Sequence, residues 1–450
     1  MKALNELLYL PGVKQILGLS ANYGVYFVVE ALAHRRVSWY SRELERFFKL
    51  PYSAQVAIQN DRLANTLEYA FSEVPYYSDL KVRHGLDVDK VRKDAQYIQD
   101  IPCLTKDIIR DQGDRLISKN ASGQRRIESK TGGSTGPSCS IFYDPDAADR
   151  SSAVTRFFRK SVGKKWDRSE VHFAAYFGDE SQLKWIQKET LKCMAMNRSN
   201  VFVSELTSDK MQEILRTLKI RRPYLVHAHP STLYQIAVHA KGILDPVFPL
   251  NVIEPSGETC PQYIRDMLVE TFGARVHDRY GLAEFGVVAY QLDSRDRKLR
   301  VCNADFFVEA RKFDEGMNEL TITGFANRLM PLIRYRTGDL TNGIVEEEGL
   351  FIDGVQGRVH DRLTIGDREM FTHYIQDIVD HRIGCICEFQ IVASQQGVIF
   401  LIQEQDVSQR YYIEQQLRSF FPGIHSVKFV ASDGFIRTGV NQKFRHLVQQ

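Results

Sequence analysis

The sequence predicts an α/β protein: a large multi-sheet N-terminal domain followed by a small C-terminal α+β domain. Three observations predict it. Short apolar runs of strand type alternate with amphipathic helical stripes from about residue 100 to 280. The stretch 299–353 then becomes strand-rich. Beyond Gly357 the order changes to helix, two strands, helix, strand, which is the pattern of a separate compact unit.

The elements follow in chain order. Residues 1–100 read as mostly helical, with apolar residues at helical spacing from Gln55 to Ser72 and Pro75 as a stop. Val171 to Phe177 is a strand-type run. Met211, Ile214, Leu215 and Leu218 form a stripe behind Thr207 or Ser208 as N-cap. Tyr224 to Ala228 reads as a strand and Ser231 to Ala240 as a helix. In 259–273, Pro261 suits a first turn, Ile264, Met267, Leu268 and Phe272 make the stripe, and Gly273 suits the C-terminal cap. Arg275 to Asp278 is strand-like. In the last part we expect a helix at 373–383, strands at Glu388–Ala393 and Val398–Gln403 around Gly397, and a helix at 408–420. Tyr411, Tyr412, Leu417 and Phe420 are expected on one face of that helix, and Ser426–Val430 as the final strand.

Composition narrows the function classes. The chain has 450 residues, 43% hydrophobic and 26% charged, with net charge +3. That is ordinary for a soluble globular protein and too balanced for a nucleic-acid coat. Seven cysteines, an odd number at scattered positions, and no recognisable signal peptide lead us to expect free thiols and a cytoplasmic protein. Residues 9–32 are the most apolar N-terminal stretch but are broken by Lys14, Asn22 and Glu30. A packed helix is expected there, with membrane contact through the N-terminal helices as the lesser alternative.

Five segments carry chemistry. In Ser129–Ser138, three glycines with free N–H groups and hydroxyls suit an oxyanion such as a phosphate, and no Gly-Lys-Ser/Thr ending is present. Taken alone it also reads as a flexible linker. Tyr280-Gly281-Leu282-Ala283-Glu284 follows a strand, where open α/β sheets place ligands, and Glu284 could hold Mg²⁺. Taken alone it reads better as a surface turn. Asp339, after the turn residue Gly338 in Pro331–Leu340, could accept from a ribose diol, or simply be a solvated hairpin residue. Gly357-Arg358-Val359-His360-Asp361 lies at the expected boundary, and Arg437-Thr438 with Lys443-Phe444-Arg445 near the C-terminal end. His227-x-His229 and Cys385-x-Cys387 lack the spaced partners of a metal site. Strand tips near Tyr176, Phe177, Ala228 and Pro255 read equally as acyl-pocket lining or as plain core.

In this order the five segments resemble the signatures of the adenylate-forming (acyl-CoA synthetase) superfamily. The resemblance is to the branch holding phenylacetate–CoA ligases and the capsular polysaccharide biosynthesis ligase-like proteins. Ile101-Pro102-Cys103-Leu104-Thr105-Lys106 and Ser256-Gly257-Glu258 agree with that branch, and Pro331–Asp339 is the most specific single match. The resemblance covers about residues 70–450.

It implies residues 1–357 as an ATP- and acyl-binding adenylation domain and 358–450 as a small mobile domain turning about residues 360–361. The implied activity is that of an AMP-forming ligase: a small-molecule carboxylic acid is adenylated with release of pyrophosphate. The acyl group then passes to a thiol (coenzyme A or a carrier protein) or to an amine. Polysaccharide or secondary-metabolite biosynthesis is the implied setting. ATP and Mg²⁺ are the implied cofactors, with coenzyme A a further candidate and no nucleic acid involved. By the same resemblance Thr131, Gly132, Gly133, Ser134, Thr135 and Gly136 cradle the phosphates. Gly257, Glu258, Tyr280 and Gly281 lie along the AMP, Glu284 ligates Mg²⁺, and Asp339 holds the ribose. Arg358 contacts ribose or phosphate, and Lys443 bridges carboxylate and α-phosphate. The alternative is a non-catalytic nucleotide-binding or assembly protein descended from this family. Retention of Glu284, Asp339, Arg358 and Lys443 argues against it.

Overall fold

Alternation along four short strands sets one apolar core of the protein. In the computed structural model the described residues are 26–121, 125–130, 139–174, 193, 196–202, 207–242, 248–314, 316–356, 362–366, 368–371, 375, 378, 379, 383, 385–431, 434–438, 443, 444 and 446–449. They fall into two compact units. The larger is drawn from Met1–Thr131, Cys139–Thr337 and Thr341–Gly354, the smaller from Gly338–Leu340 and Val355–Gln450.

The larger unit opens with helices, including Val37–Phe47, Tyr52–Glu73 and Pro75–His84. Pro75 ends one helix and, lacking an N–H to lose, occupies the first turn of the next. Strands β1 (Ile127–Lys130) and β2 (Ser140–Tyr143) then pair antiparallel, with Lys130 opposite Ser140. Helix Pro145–Ser161 follows, its N-terminus capped by the Asp144 carboxylate.

Next comes the parallel sheet of β3 (Glu170–Ala174), β4 (Arg198–Phe202), β5 (Leu225–Ala228), β6 (Val252–Pro255) and β7 (Arg275–Val276), ordered β4-β3-β5-β6-β7. In register, Val171, Val226, Ile253 and Val276 lie side by side. They bury against Ile214 and Leu218 of helix Ser208–Arg221, Leu233 and Ile236 of Pro230–Lys241, and Leu268 of Gln262–Phe272. Each such side chain contributes roughly 1.5–3 kcal/mol when fully buried. The helix boundaries follow sequence signals. Thr207 caps the first of these helices, and Gly273 closes the last with φ of 59°.

The strand-rich stretch forms two sheets. One is ordered β14-β15-β10-β9-β8, from β8 (Arg279–Leu282), β9 (Gly286–Tyr290), β10 (Lys298–Val301), β14 (Ile344–Glu346) and β15 (Leu350–Asp353). The other is β11-β12-β13, from β11 (Phe306–Asp314), β12 (Met317–Gly324) and β13 (Tyr335–Thr341).

The smaller unit pairs β16 (Arg362–Ile365) with β17 (Arg368–Phe371), and β18 (Ile386–Ser394) with β19 (Gly397–Glu404) around the expected turn. β20 (Ser426–Phe429) extends the sheet but is not the last strand. The two-residue strands β21 (Arg437–Thr438) and β22 (Lys443–Phe444) pair, and β23 (Leu447–Gln449) joins β18 in parallel. Helix Arg410–Phe420 buries Ile413 and Leu417, whereas Tyr411 stays 78% exposed, so the two tyrosines do not share the buried face. Leucine and isoleucine at i and i+4 make that stripe. Of the helix expected at 373–383, only residues 375, 378, 379 and 383 are described. Among the described residues no helix is long and apolar enough to cross a membrane.

Candidate active site

Three of the chemistry-bearing segments converge in the larger unit on the β8–β9 turn. Gly281 allows the close approach. A Cβ there would lie 2.8 Å from the Gly286 carbonyl oxygen, nearer than side chains tolerate. The turn therefore folds tightly and presents Glu284, which is 5% exposed. So Tyr280-Gly281 lies in a hairpin strand rather than in a surface loop. The Ala283 carbonyl accepts hydrogen bonds from the hydroxyls of Ser129 (3.3 Å) and Tyr143. These belong to β1 and β2, the two strands that the glycine-rich segment connects. Tyr143 is correspondingly pushed well above the usual phenol range by burial and by the Glu284 charge.

The other contacts come from two segments side by side. The Leu104 N–H donates to the Arg334 carbonyl (3.0 Å), and the Arg336 N–H to the Leu104 carbonyl (2.9 Å). This ties Ile101–Lys106 to the start of β13. Arg334 holds the pair in register from an unusual φ of 50°. Its guanidinium donates to both Glu309 oxygens (3.0 and 3.1 Å) and to the carbonyls of Gln99 and Ile101. A bidentate pair of this kind is geometrically specific. In consequence the Tyr335 hydroxyl donates to Glu284 Oε1 at 2.6 Å, and Lys106 Nζ stands 3.9 Å from the same oxygen.

The donor chemistry here fits magnesium of one kind only. Among the described residues no three His, Cys, Asp or Glu side chains cluster to cage a metal ion. A single buried carboxylate with Oε1 hydrogen-bonded suits an ion held mostly by water and substrate phosphates, which is the habit of Mg²⁺.

Gly257 and Glu258 lie just past the end of β6. Gly257 has φ of 86°, and the His229 ring packs where its Cβ would stand, 2.6 Å from Cε1. Glu258 accepts from the Ser231 N–H (3.2 Å), so its carboxylate serves the N-terminus of helix Pro230–Lys241. In the smaller unit's share of β13, Asp339 is buried beside Gly338, whose φ is 76°. Lys443 is on β22, paired with Thr438. The phosphate-loop residues Thr131, Gly132, Gly133, Ser134, Thr135 and Gly136, and also Arg358, lie outside the described residues.

The sequence reading passed over a second feature. On the face of the parallel sheet opposite the apolar core, Asn200, His172, His227 and Glu254 occupy one register row across four strands. Ala228 belongs to the apolar core, so of the two equal readings of that strand tip, plain core holds. Arg159, from helix Pro145–Ser161, grips Glu254 with two bonds (3.0 and 2.6 Å) and reaches Glu170 at 3.3 Å. Tyr290 of β9 donates to Glu254 (2.7 Å), and Lys164 stands 3.5 Å from Glu170. His227 Nδ1 lies 2.9 Å from Glu254, and Arg279 Nη1 3.4 Å from His227 Nε2. The signal was present in the sequence as charged residues at alternate positions of otherwise apolar strands.

Burial works against every charge in this cluster. It would raise Glu254, but Arg159 and His227 override it and hold the carboxyl well below the usual range. His172 goes the other way: burial pushes it down to about 3 from 6.5, despite Glu170 beside it. Between those values the unfolded chain binds a proton that the native imidazole refuses. Stability therefore falls as pH drops from 6.5 toward 3, and His227, also lowered by burial, adds in the same direction. Unfolding free energies from urea titrations read by tryptophan fluorescence should fall as pH drops from 6.5 to 5, with His172 contributing up to about 1.4 kcal/mol per pH unit. His172→Asn should flatten that slope, whereas an unchanged slope would place His172 in a solvated setting.

The architecture is that of the adenylate-forming ligases. Over 87% of this chain and 89% of the other, it superposes on 2-hydroxyisobutyryl-CoA ligase in the postadenylation state with TM-score 0.66 at 16% identity. The same ligase in its thioesterification state, with 2-HIB-AMP and CoA, gives 0.54 at 18% identity over 88% and 90% of the chains. The chain is a homologue of Protein CapK of Staphylococcus aureus, at 22% identity over 330 residues and 70% of each sequence. It is likewise homologous to the phenylacetate-coenzyme A ligase of Escherichia coli, at 22% over 348 residues, 71% of this chain and 75% of that one. No protein-family model matches the chain.

Proposed function

We propose that this protein is an ATP-dependent ligase that activates a carboxylic acid as its acyl adenylate and passes the acyl group to a thiol, coenzyme A or a carrier, or to an amine. The observation that carries this reading is the convergence on Glu284. Ile101–Lys106 and the start of β13 meet at the Glu284 carboxylate through Lys106 and Tyr335, and the β1–β2 pair holds the adjoining Ala283 carbonyl. The homologous phenylacetate-coenzyme A ligases support the same chemistry. The polysaccharide setting, implied by the sequence resemblance, is the one to test first.

In the reaction the substrate carboxylate oxygen attacks the α-phosphorus of ATP. A P–O bond forms to the acyl oxygen, and the bond to pyrophosphate breaks. The task is to bring two anions together, and positioning with electrostatics does most of it. Glu284 would hold Mg²⁺, which when bound neutralises phosphate charge. Tyr335 fixes the Glu284 carboxylate by donating to it, and Lys106 adds a positive charge beside it. Asp339 takes the ribose hydroxyls, Arg358 the ribose or phosphate, and the 131–136 loop the phosphates. Lys443 supplies the cation at the carboxylate and α-phosphate. The acceptor's thiol or amine then displaces AMP. Residues 358–450 act as the mobile domain.

Glu284→Gln keeps the shape and removes the charge. It should lower acid-dependent exchange of pyrophosphate into ATP by about 10²-fold or more. Tyr335→Phe should raise the Mg²⁺ concentration needed for half-maximal exchange several-fold, with a smaller loss at saturating Mg²⁺. Exchange rates unaffected by Glu284→Gln would exclude Glu284 as the metal-holding group.

A further inference from the structure

The buried polar row is more than structural support. Its core is sealed: the side chains of Arg159, Glu170 and Glu254 are 5%, 3% and 0% exposed. Its edge is open: His172, His227 and Arg279 keep 15%, 19% and 21%. The open edge lies just below the carboxyl ends of the strands, where open α/β sheets receive ligands. Glu254 is two residues before Ser256-Gly257-Glu258, His227 two before His229, and Arg279 directly before Tyr280. An adenylate held by those segments would have its acyl group over this edge.

One donor at this edge has no acceptor. Glu254 is already taken up by Arg159, Tyr290 and His227, and Arg279 shares it only from 3.7 Å. The Arg279 Nε hydrogen is buried and has no hydrogen-bond partner among the described residues. Around the two carboxylates stand three cations, Arg159, Lys164 and Arg279. A buried donor with no acceptor costs about 1–3 kcal/mol, and an apolar ligand laid against it would recover none of that.

We propose that Arg279 and the His172–His227 edge form the specificity wall of the acyl site, and that the acid carries an oxygen acceptor on its acyl chain: a hydroxyl, a carbonyl or a second carboxylate. This rests on the adenylation reading above. Arg279, whose side chain is 21% exposed, donates to that oxygen from its guanidinium. His227 keeps the guanidinium in place through Nε2, because its own Nδ1 is turned to Glu254. Plain fatty and aryl acids leave the donor unpaired and are discriminated against.

The test uses hydrolysis-resistant acyl-sulfamoyl adenosines matched in length, with alkyl, aryl, hydroxyacyl, ketoacyl and carboxyacyl chains. Binding is measured by calorimetry on the full chain and on Arg279→Leu. At least one oxygen-bearing mimic should bind wild type about tenfold or more tighter than its alkyl match. Arg279→Leu should erase that difference. Which of the three oxygen classes wins tells a neutral acceptor from an anion. Alkyl or aryl mimics binding as well as every oxygen-bearing one would overturn the proposal while leaving adenylation standing, as would a preference that survives Arg279→Leu. Failure of every mimic and of ATP itself to bind would overturn both. The wild-type ranking decides the matter even if the variant does not fold.

Discussion

Replacing Lys443 with alanine should lower acid-dependent exchange of pyrophosphate into ATP by about 10²–10³-fold. A preorganised positive group aimed at charge that develops in the transition state typically accounts for that much. The attacking carboxylate and the α-phosphate are both anions, so their approach has to be offset by a cation at the meeting point. Lys443 is set on a two-residue strand, paired with Thr438, which fixes its backbone. Exchange with pre-bound ATP and saturating acid separates the loss from weakened binding. A variant that exchanges at the wild-type rate would take Lys443 out of the first half-reaction.

Arg159→Met should be the most destabilising single change in the larger unit, costing about 3–5 kcal/mol. Arg159 makes the bidentate bond to Glu254 and the bond to Glu170, and it is 5% exposed. Methionine fills much of the volume but leaves two buried carboxylates with fewer counter-charges. The cost comes from that uncompensated charge rather than from lost packing. All three tryptophans, Trp39, Trp166 and Trp185, lie in the chain segments of the larger unit. Intrinsic fluorescence therefore reports its unfolding separately from the smaller unit. A urea midpoint shifted by less than about 1 kcal/mol would mean that the network is solvated and contributes little.

Much of the fold was legible in the sequence, for a physical reason. Where an element is stopped by local chemistry, the sequence marks it: Thr207 as a cap, Gly273 in the left-handed region, Pro75 between two helices. Where a pattern depends on which face meets the core, it misled. Tyr411 and Tyr412 look apolar enough to join Leu417, yet the core is reached by Ile413 and Leu417 instead. The end of the chain hid β21, β22 and β23 because two- or three-residue strands leave no period to detect.

The site divides in the same way. Glu284 and the segments around Lys106 and Tyr335 could be picked out by motif, and the structure brings them together. Their grouping depends on Arg334, whose role is tertiary: it joins Gln99 and Ile101 to Glu309 across more than two hundred residues of chain. No local rule gives that. Glu258 carries a polar signal equally suited to a ligand, but its carboxylate bonds the first turn of a helix. The polar row was missed because His172, His227 and Glu254 become neighbours only once the strand order is known.

The central claim is that this chain activates carboxylic acids. The most direct test is exchange of labelled pyrophosphate into ATP by the purified protein with Mg²⁺ and separate pools of aryl, fatty, hydroxy, keto and dicarboxylic acids. The account predicts acid-dependent exchange with at least one pool, strongest where the acyl chain bears oxygen, and no need for any acceptor. No exchange with any pool, together with no measurable binding of ATP, would contradict it and leave a protein that kept the fold without the reaction.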